Sequence, residues 1–323
     1  MKNLSEMRCS EFSELMNEEL IGTAPVWNKL LVISFPFPWV ADINESDTFY
    51  KLFNKKLKVD HIKSKLQDYR IQFVSPDKDY ITEGLFRVLL FIRNIEDSKF
   101  SKFEKMEFDI PEEKLGEFLI GLTDSNESYL NDYMLKPNKT RDLFVCIHAS
   151  RDICCGVAGV PIYKSLKEKF NDYNISLTRV WRMSHLGGHK YAPNVLDMPS
   201  GRLWARFNSS NIDELFGSSV KPKQIFNYYR GSIGLNSPYE QVLESYILAD
   251  SQNLEYKTIS NIEMLNSELA KVTMERIEDL NNNKTVFSGF VKLNGYTKSI
   301  DCISGAEKGN TPKYEVDRFK KLT

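Results

Sequence analysis

The chain has 323 residues, 41% of them hydrophobic, and its 43 Lys and Arg nearly balance 44 Asp and Glu. That length predicts two domains with real cores and a tail, and the charge balance argues against nucleic acid or anionic membrane as partners. The first residues carry no apolar signal-like run and no apolar stretch approaches the roughly 20 residues that span a bilayer, so a cytoplasmic protein is expected.

In chain order, a short amphipathic segment follows Arg8-Cys9-Ser10, and the apolar run 30–35 predicts a buried strand stopped by Pro36 and Pro38. Helical spacing of Phe49, Leu52, Phe53, Leu57, Ile62 and Leu66 predicts a helix or helix pair over 47–69. Strands are expected at 71–74, 85–92 and 105–108, then a helix opened by Pro111-Glu112-Glu113 and running through Leu119. The polar stretch 124–140 connects this unit to the next and puts a boundary near 140. The same order then returns: a strand at 143–147, a helix at about 162–170 beginning soon after Pro161, and a strand at 178–183. A hairpin follows, pairing 194–198 with 203–207 across Pro199-Ser200-Gly201, and then a helix at 212–216. A helix at 238–248 and alternating segments at 270–277, 285–293 and 296–303 form a small C-terminal helix and antiparallel β appendage. The fold class expected is therefore α/β, with two thioredoxin-like units over 1–140 and 141–235 and an extension over 236–323.

Five cysteines are too few for a disulfide scaffold in a chain of this size, and in a reducing compartment clustered cysteines more often bind metal or do redox chemistry. Of the nine Cys and His residues, six (Cys146, His148, Cys154, Cys155, His185 and His189) fall within 146–189, where even scatter puts about one. Cys146 closes a predicted strand where ligand-bearing loops leave an α/β sheet. The loop from His148 to Gly156 is short and polar, and Gly187-Gly188 makes a tight loop between His185 and His189 that can aim both imidazoles at one point. Two cysteines with two histidines would suit structural zinc, but zinc knuckles take cysteines two to four residues apart, and eight residues separate Cys146 from Cys155. The wider loop suits a diiron cluster, and the division of thiolates and imidazoles between two loops matches that of Rieske centres in ligand type.

Val145-Cys146-Ile147-His148-Ala149-Ser150-Arg151-Asp152 with Cys155-Gly156, then Ser184-His185-Leu186-Gly187-Gly188-His189-Lys190 and Asn194, resembles the sucrase/ferredoxin-like family of thioredoxin-like ferredoxins. Gly22-Thr23-Ala24, Pro38-Trp39, Tyr229-Arg230-Gly231 and Gln241 also resemble its landmarks, so the similarity runs over most of 8–245, while 250–323 lies outside it. The resemblance implies a [2Fe-2S] cluster held by Cys146, Cys155, His185 and His189, with Cys155 chosen over Cys154 because it directly precedes Gly156. It also implies the two thioredoxin-like units. No carboxylate pair suits glycoside hydrolysis, so no sucrase activity is expected.

Around these ligands His148 is expected as a hydrogen-bond donor or packing residue, Arg151 and Asp152 as fixing the loop by pairing with each other or with backbone, Cys154 as a packed thiol or alternate ligand, and Lys190 as a nearby positive charge. Cys9, Cys302 and His61 are isolated in sequence and are assigned packing or surface roles. The function expected is one-electron transfer or redox sensing, possible coupling to protons included, rather than enzymatic turnover. A structural zinc protein and a thiol-disulfide oxidoreductase are the alternatives, the latter weakened by the lack of Cys-x-x-Cys. With no Gly-rich strand-to-helix turn for a flavin or nicotinamide, reductant is expected from a redox protein partner.

Overall fold

The computed structural model describes residues 7–43, 66–93, 101–123, 130–172, 176–216, 225–250, 256–278, 283–300 and 307–322. After helix α1 (Cys9–Leu15) come strands β1 (Lys29–Ser34), β2 (Arg70–Val74), β3 (Leu85–Ile92) and β4 (Glu104–Pro111), a 3-10 turn (Glu112–Lys114) and helix α2 (Leu115–Thr123). The second run is β5 (Arg141–Cys146), α3 (Ile153–Lys169), β6 (Thr178–Met183), β7 (Asn194–Met198), β8 (Arg202–Ala205), α4 (Ile212–Phe216), α5 (Ile225–Tyr228) and β9 (Tyr229–Ser232). Helix α6 (Pro238–Asp250) leads to β10 (Tyr256–Met264), β11 (Leu269–Glu278), β12 (Lys284–Ile300) and β13 (Glu307–Lys321). The helix expected over 47–69 falls mostly, and His61 and Cys302 entirely, outside the described residues.

The first nine strands make one mixed sheet in the order β4-β3-β1-β2-β6-β5-β7-β8-β9. Its two halves repeat one another: β1 is parallel to β2 and antiparallel to β3, and β5 is parallel to β6 and antiparallel to β7. The halves meet where β2 and β6 pair antiparallel at Val74 and Met183. The strands read as unbroken apolar runs because both faces of the sheet are covered. Leu31 and Ile33 of β1 enter one core, and Leu30 and Val32 enter the other. Along β5, Leu143 and Val145 point into the first core, Phe144 and Cys146 into the second.

Three sequence expectations need correction. Helix α3 begins at Ile153 and contains Pro161, so Cys154 and Cys155 lie on its first turn rather than in a loop. Asp152 caps it, its side chain accepting from Cys154 N at 2.9 Å, and the helix runs on through Pro161. The segments expected at 285–293 and 296–303 belong, through Ile300, to one 17-residue strand, β12. Asn294-Gly295 makes a register shift there instead of a turn, with Gly295 at φ +88°. Finally, the appendage is a four-stranded antiparallel sheet, β10-β11-β12-β13, with β10 and β13 additional to the expected segments. Among the described residues no helix is long and apolar enough to cross a membrane.

A buried charge network joins the two halves away from the β2–β6 seam. Arg179 of β6 bonds Glu107 of β4 at 2.7 Å and Asp142 of β5 at 2.8 Å, and Lys105 lies 3.1 Å from Glu107 and 3.0 Å from Asp142. Burial works to raise the Glu107 pKa, but the hydrogen bond and charge of Arg179, with Lys105 and Asn138, bring it down to about 2. A carboxylate depressed in the folded state adds stability that is present above its ordinary value near 4.5 and is lost as pH falls toward 2. Glu107→Gln is therefore expected to cost about 3–5 kcal/mol at neutral pH, by leaving Arg179 short of charge. It should also flatten the acid limb of stability below pH 4.5, both effects read from urea midpoints over a pH series.

Candidate metal centre

Cys146 ends β5 facing the second core, and α3 is laid across the same strand end. The approach is close enough that a Cβ on Gly159 would fall on the Cys146 carbonyl oxygen, and one on Gly156 would come 2.5 Å from the Ala149 Cβ. Glycine at both positions thus lets the first turn of α3 deliver Cys155 to Cys146. The two sulfur atoms and a ring nitrogen of His185 all lie within 4.8 Å of one another, with Cys155 Sγ 3.4 Å from His185 Nδ1.

His185 rides a loop that leaves β6 at the seam between the halves. Its carbonyl accepts from Gln72 Nε2 at 3.0 Å and Arg70 Nη2 at 3.2 Å, both on β2, and its N–H donates to His148 Nδ1 at 3.3 Å. His148 Nε2 in turn donates to the Val40 carbonyl at 2.9 Å, which fixes the neutral tautomer; burial lowers its pKa, the Val40 bond only partly offsetting it. Gly187 and Gly188 turn the loop at φ +85° and +68° and lead into a 3-10 turn, His189–Tyr191. His189 Nδ1 stands 3.4 Å from Asp152 Oδ2, and its ring centroid is 5.9 Å from that of His185. Beside His185 lies a cleft of about 90 Å³ bordered by Asp42, Arg70 and Arg151.

The donor set suits a soft metal centre. The Cys155 S–H hydrogen bond, against burial and helped by His185 and the Leu186 N–H, holds Cys146 well below the ordinary thiol value; the same bond, with burial, pushes Cys155 up. One proton shared between two buried sulfurs is a pair ready to give it up to a cation. Both cysteines are 1% exposed, whereas the His189 side chain is 36% exposed, so the sulfurs lie in the core and this imidazole lies toward solvent, outside the group of Cys146, Cys155 and His185.

Several neighbours differ from expectation. Of the two pairings expected for Asp152 the backbone one is found, at the α3 cap, and Arg151 faces Asp42 at 3.7 Å while Asp152 also reaches His189. Lys190 turns away from the sulfur pair: its ammonium meets the buried Glu18 carboxylate and Thr311 Oγ1, and Glu18 also bonds the Thr311 hydroxyl, tying the N-terminal segment, the histidine loop and β13 into one knot. Cys154 points away from Cys146 and packs with Cys9 and Ala192, so Cys9 is isolated in sequence but not in space.

In the sequence Arg230 stands out only as a landmark of the family resemblance. It is buried behind the histidine loop, donating to Gly187 O at 3.2 Å, Asn194 Oδ1 at 2.8 Å and Thr23 O at 2.8 Å. Asn194 bonds the Gly188 carbonyl at 3.0 Å, and a Cβ on Gly188 would come within 2.6 Å of the guanidinium. Burial lowers its pKa to about 10, which leaves it charged at neutral pH, facing Cys146 electrostatically. The α3–β5 contact should be intolerant of bulk: Gly159→Ala is expected to lower stability by about 1–3 kcal/mol, read as a drop in the urea midpoint.

The chain is 33% identical over 104 residues to altered inheritance of mitochondria protein 32 of Candida glabrata, a match covering 29% of this chain and 33% of that protein. Proteins of the same name from Debaryomyces hansenii and Meyerozyma guilliermondii are 30% identical over 101 residues and 28% over 96, each match covering 28% of this chain and 35% and 34% of those proteins. The matches thus span about a third of the length of these curated relatives. No solved structure matches the chain. A family model described as sucrase/ferredoxin-like matches residues 20–231, well over half the chain, and the chain belongs to the sucrase/ferredoxin-like family.

Proposed function

We propose that this protein holds a [2Fe-2S] cluster through Cys146, Cys155, His185 and His189 and serves in one-electron transfer or redox sensing. The observation that carries the reading is the gathering of two buried sulfurs and the His185 ring within 4.8 Å, from a strand end, a helix first turn and a loop, in a family named for ferredoxins. Such a cluster supplies one-electron chemistry at a higher potential than an all-thiolate one, because imidazole is neutral where thiolate is anionic.

The chain's own groups set the conditions. Cys146 and Cys155 bind from the core side, where water is excluded, and the buried Arg230 charge favours negative charge gathered at the sulfurs. His148, Gln72 and Arg70 fix the backbone of His185, while Asp152 orients the His189 ring. The repeated strand order supports two thioredoxin-like units, over 1–140 and 141–235, with the second supplying the ligands and 236–323 forming the extension. A redox protein partner would meet the site from the imidazole side, next to the exposed Ile153, Val157 and Val160, which share one face of α3. This reading keeps the expected cytoplasmic location, and the charge balance favours neither a nucleic-acid nor an anionic-membrane partner.

Anaerobic purification tests the proposal: about two irons and visible charge-transfer absorption are expected, whereas colourless protein with one zinc would make the site structural, and metal-free protein would leave a thiol enzyme. Cys146→Ser and Cys155→Ser should each lose most of the iron while Cys154→Ser keeps it; the reverse order for Cys154 and Cys155 would reassign the ligand. His185→Cys and His189→Cys, where a cluster assembles, should lower the midpoint potential in a dye-mediated titration by adding thiolate charge. Unchanged potentials in both would remove the histidines from the ligand set.

A further inference from the structure

The cleft beside His185 is walled by both halves of the sheet. Asp42, Arg70 and Gln72 come from the first half, and His148, Arg151 and His185 from the second. Its volume of about 90 Å³ exceeds the roughly 10–15 Å³ that one water needs and falls short of the roughly 300 Å³ at which pockets begin to enclose larger ligands. It has room for one small ion.

The charges on the walls favour an anion. Two guanidiniums border the space, and the one carboxylate there, Asp42, meets Arg151 at a loose 3.7 Å. Arg151 and Asp42 both lie near enough for their charges to act on Arg70, with opposite signs. His148 adds no charge, being held as the neutral tautomer between the Val40 carbonyl and the His185 N–H. Arg70 is fixed in place by other means than an ion pair: its guanidinium lies 5.2 Å over the Trp27 ring and donates through Nη2 to the His185 carbonyl at 3.2 Å. Its Nε is buried with no hydrogen-bond partner among the described residues, a donor whose desolvation is left uncompensated. Two like charges brought to one small space repel, and an oxyanion between them replaces that repulsion with two charge-assisted hydrogen-bonding contacts.

We propose that this cleft binds a small oxyanion of phosphate size, held between the guanidiniums of Arg70 and Arg151. The first half of the chain, which carries none of the proposed cluster ligands, then supplies one arm of a site at the edge of the second. Because Arg70 also holds the His185 carbonyl, occupancy of the cleft is felt by the loop that bears His185. The inference does not rest on the proposed cluster, since neither arginine is one of its ligands.

The test uses the full-length protein, purified without phosphate, and inorganic phosphate as the probe, titrated calorimetrically with ionic strength held constant by chloride. Binding should saturate at one phosphate per chain. Arg151→Gln should weaken it about tenfold, the loss of one charge-assisted hydrogen bond, and Arg70→Gln should weaken it as well. Asp42→Asn, which removes the competing carboxylate, should tighten it. Circular dichroism checks that each variant is folded; Arg151→Gln, whose native side chain makes only the loose Asp42 contact, decides the matter if Arg70→Gln is not. No saturable heat from phosphate in either wild type or Asp42→Asn would overturn the proposal. So would equal affinity in wild type and Arg151→Gln, which would place the ion elsewhere.

Discussion

The contact on which the site depends is the crossing of α3 over the end of β5. Without a side chain at Gly159 or Gly156, the helix sits directly on the Cys146 carbonyl and on Ala149. That separation decides which residues of the first turn look inward: Cys155 meets Cys146, Asp152 caps the turn and reaches His189, and Cys154 is sent to the opposite side. A side chain at the crossing would displace all three together, since close-packed interiors transmit strain instead of absorbing it.

Much of this arrangement is legible in the sequence. The strands of both halves are marked by apolar runs, and the gathering of Cys and His between 146 and 189 marks the loops that meet. The start of α3 is harder to read, because Pro161 imitates a first-turn proline and the true signal, Asp152 two residues before Cys154, is a single side chain. Strand β13 is hidden for a different reason: Lys, Glu, Asp and Asn dominate a strand with one partner, β12, so burial writes no alternation into it. Arg230 and the proximity of Cys9 to Cys154 are tertiary facts, set by contacts across the sheet and between the chain's start and its middle, and no local pattern announces them.

Charge is buried in two different ways. The network of Glu107, Asp142, Arg179 and Lys105 pairs opposite signs across the two halves, and its depressed Glu107 shows that the pairing more than offsets desolvation. Arg230 is instead satisfied largely by neutral oxygens, from Thr23, Gly187 and Asn194, so its charge is left facing the Cys146 thiolate. The first arrangement holds the halves together. The second holds the histidine loop and sets the field at the sulfurs.

The knot of Glu18, Lys190 and Thr311 sets an order of assembly. Glu18 and Thr311 are 293 positions apart, and the loop bearing His189 is tied between them through its neighbour Lys190. Synthesis runs from the N-terminus, so residue 311 is made long after both sulfurs and both imidazoles have left the ribosome. A nascent chain therefore carries Cys146, Cys155, His185 and His189 for more than 120 residues of elongation while the histidine loop still lacks its last anchor.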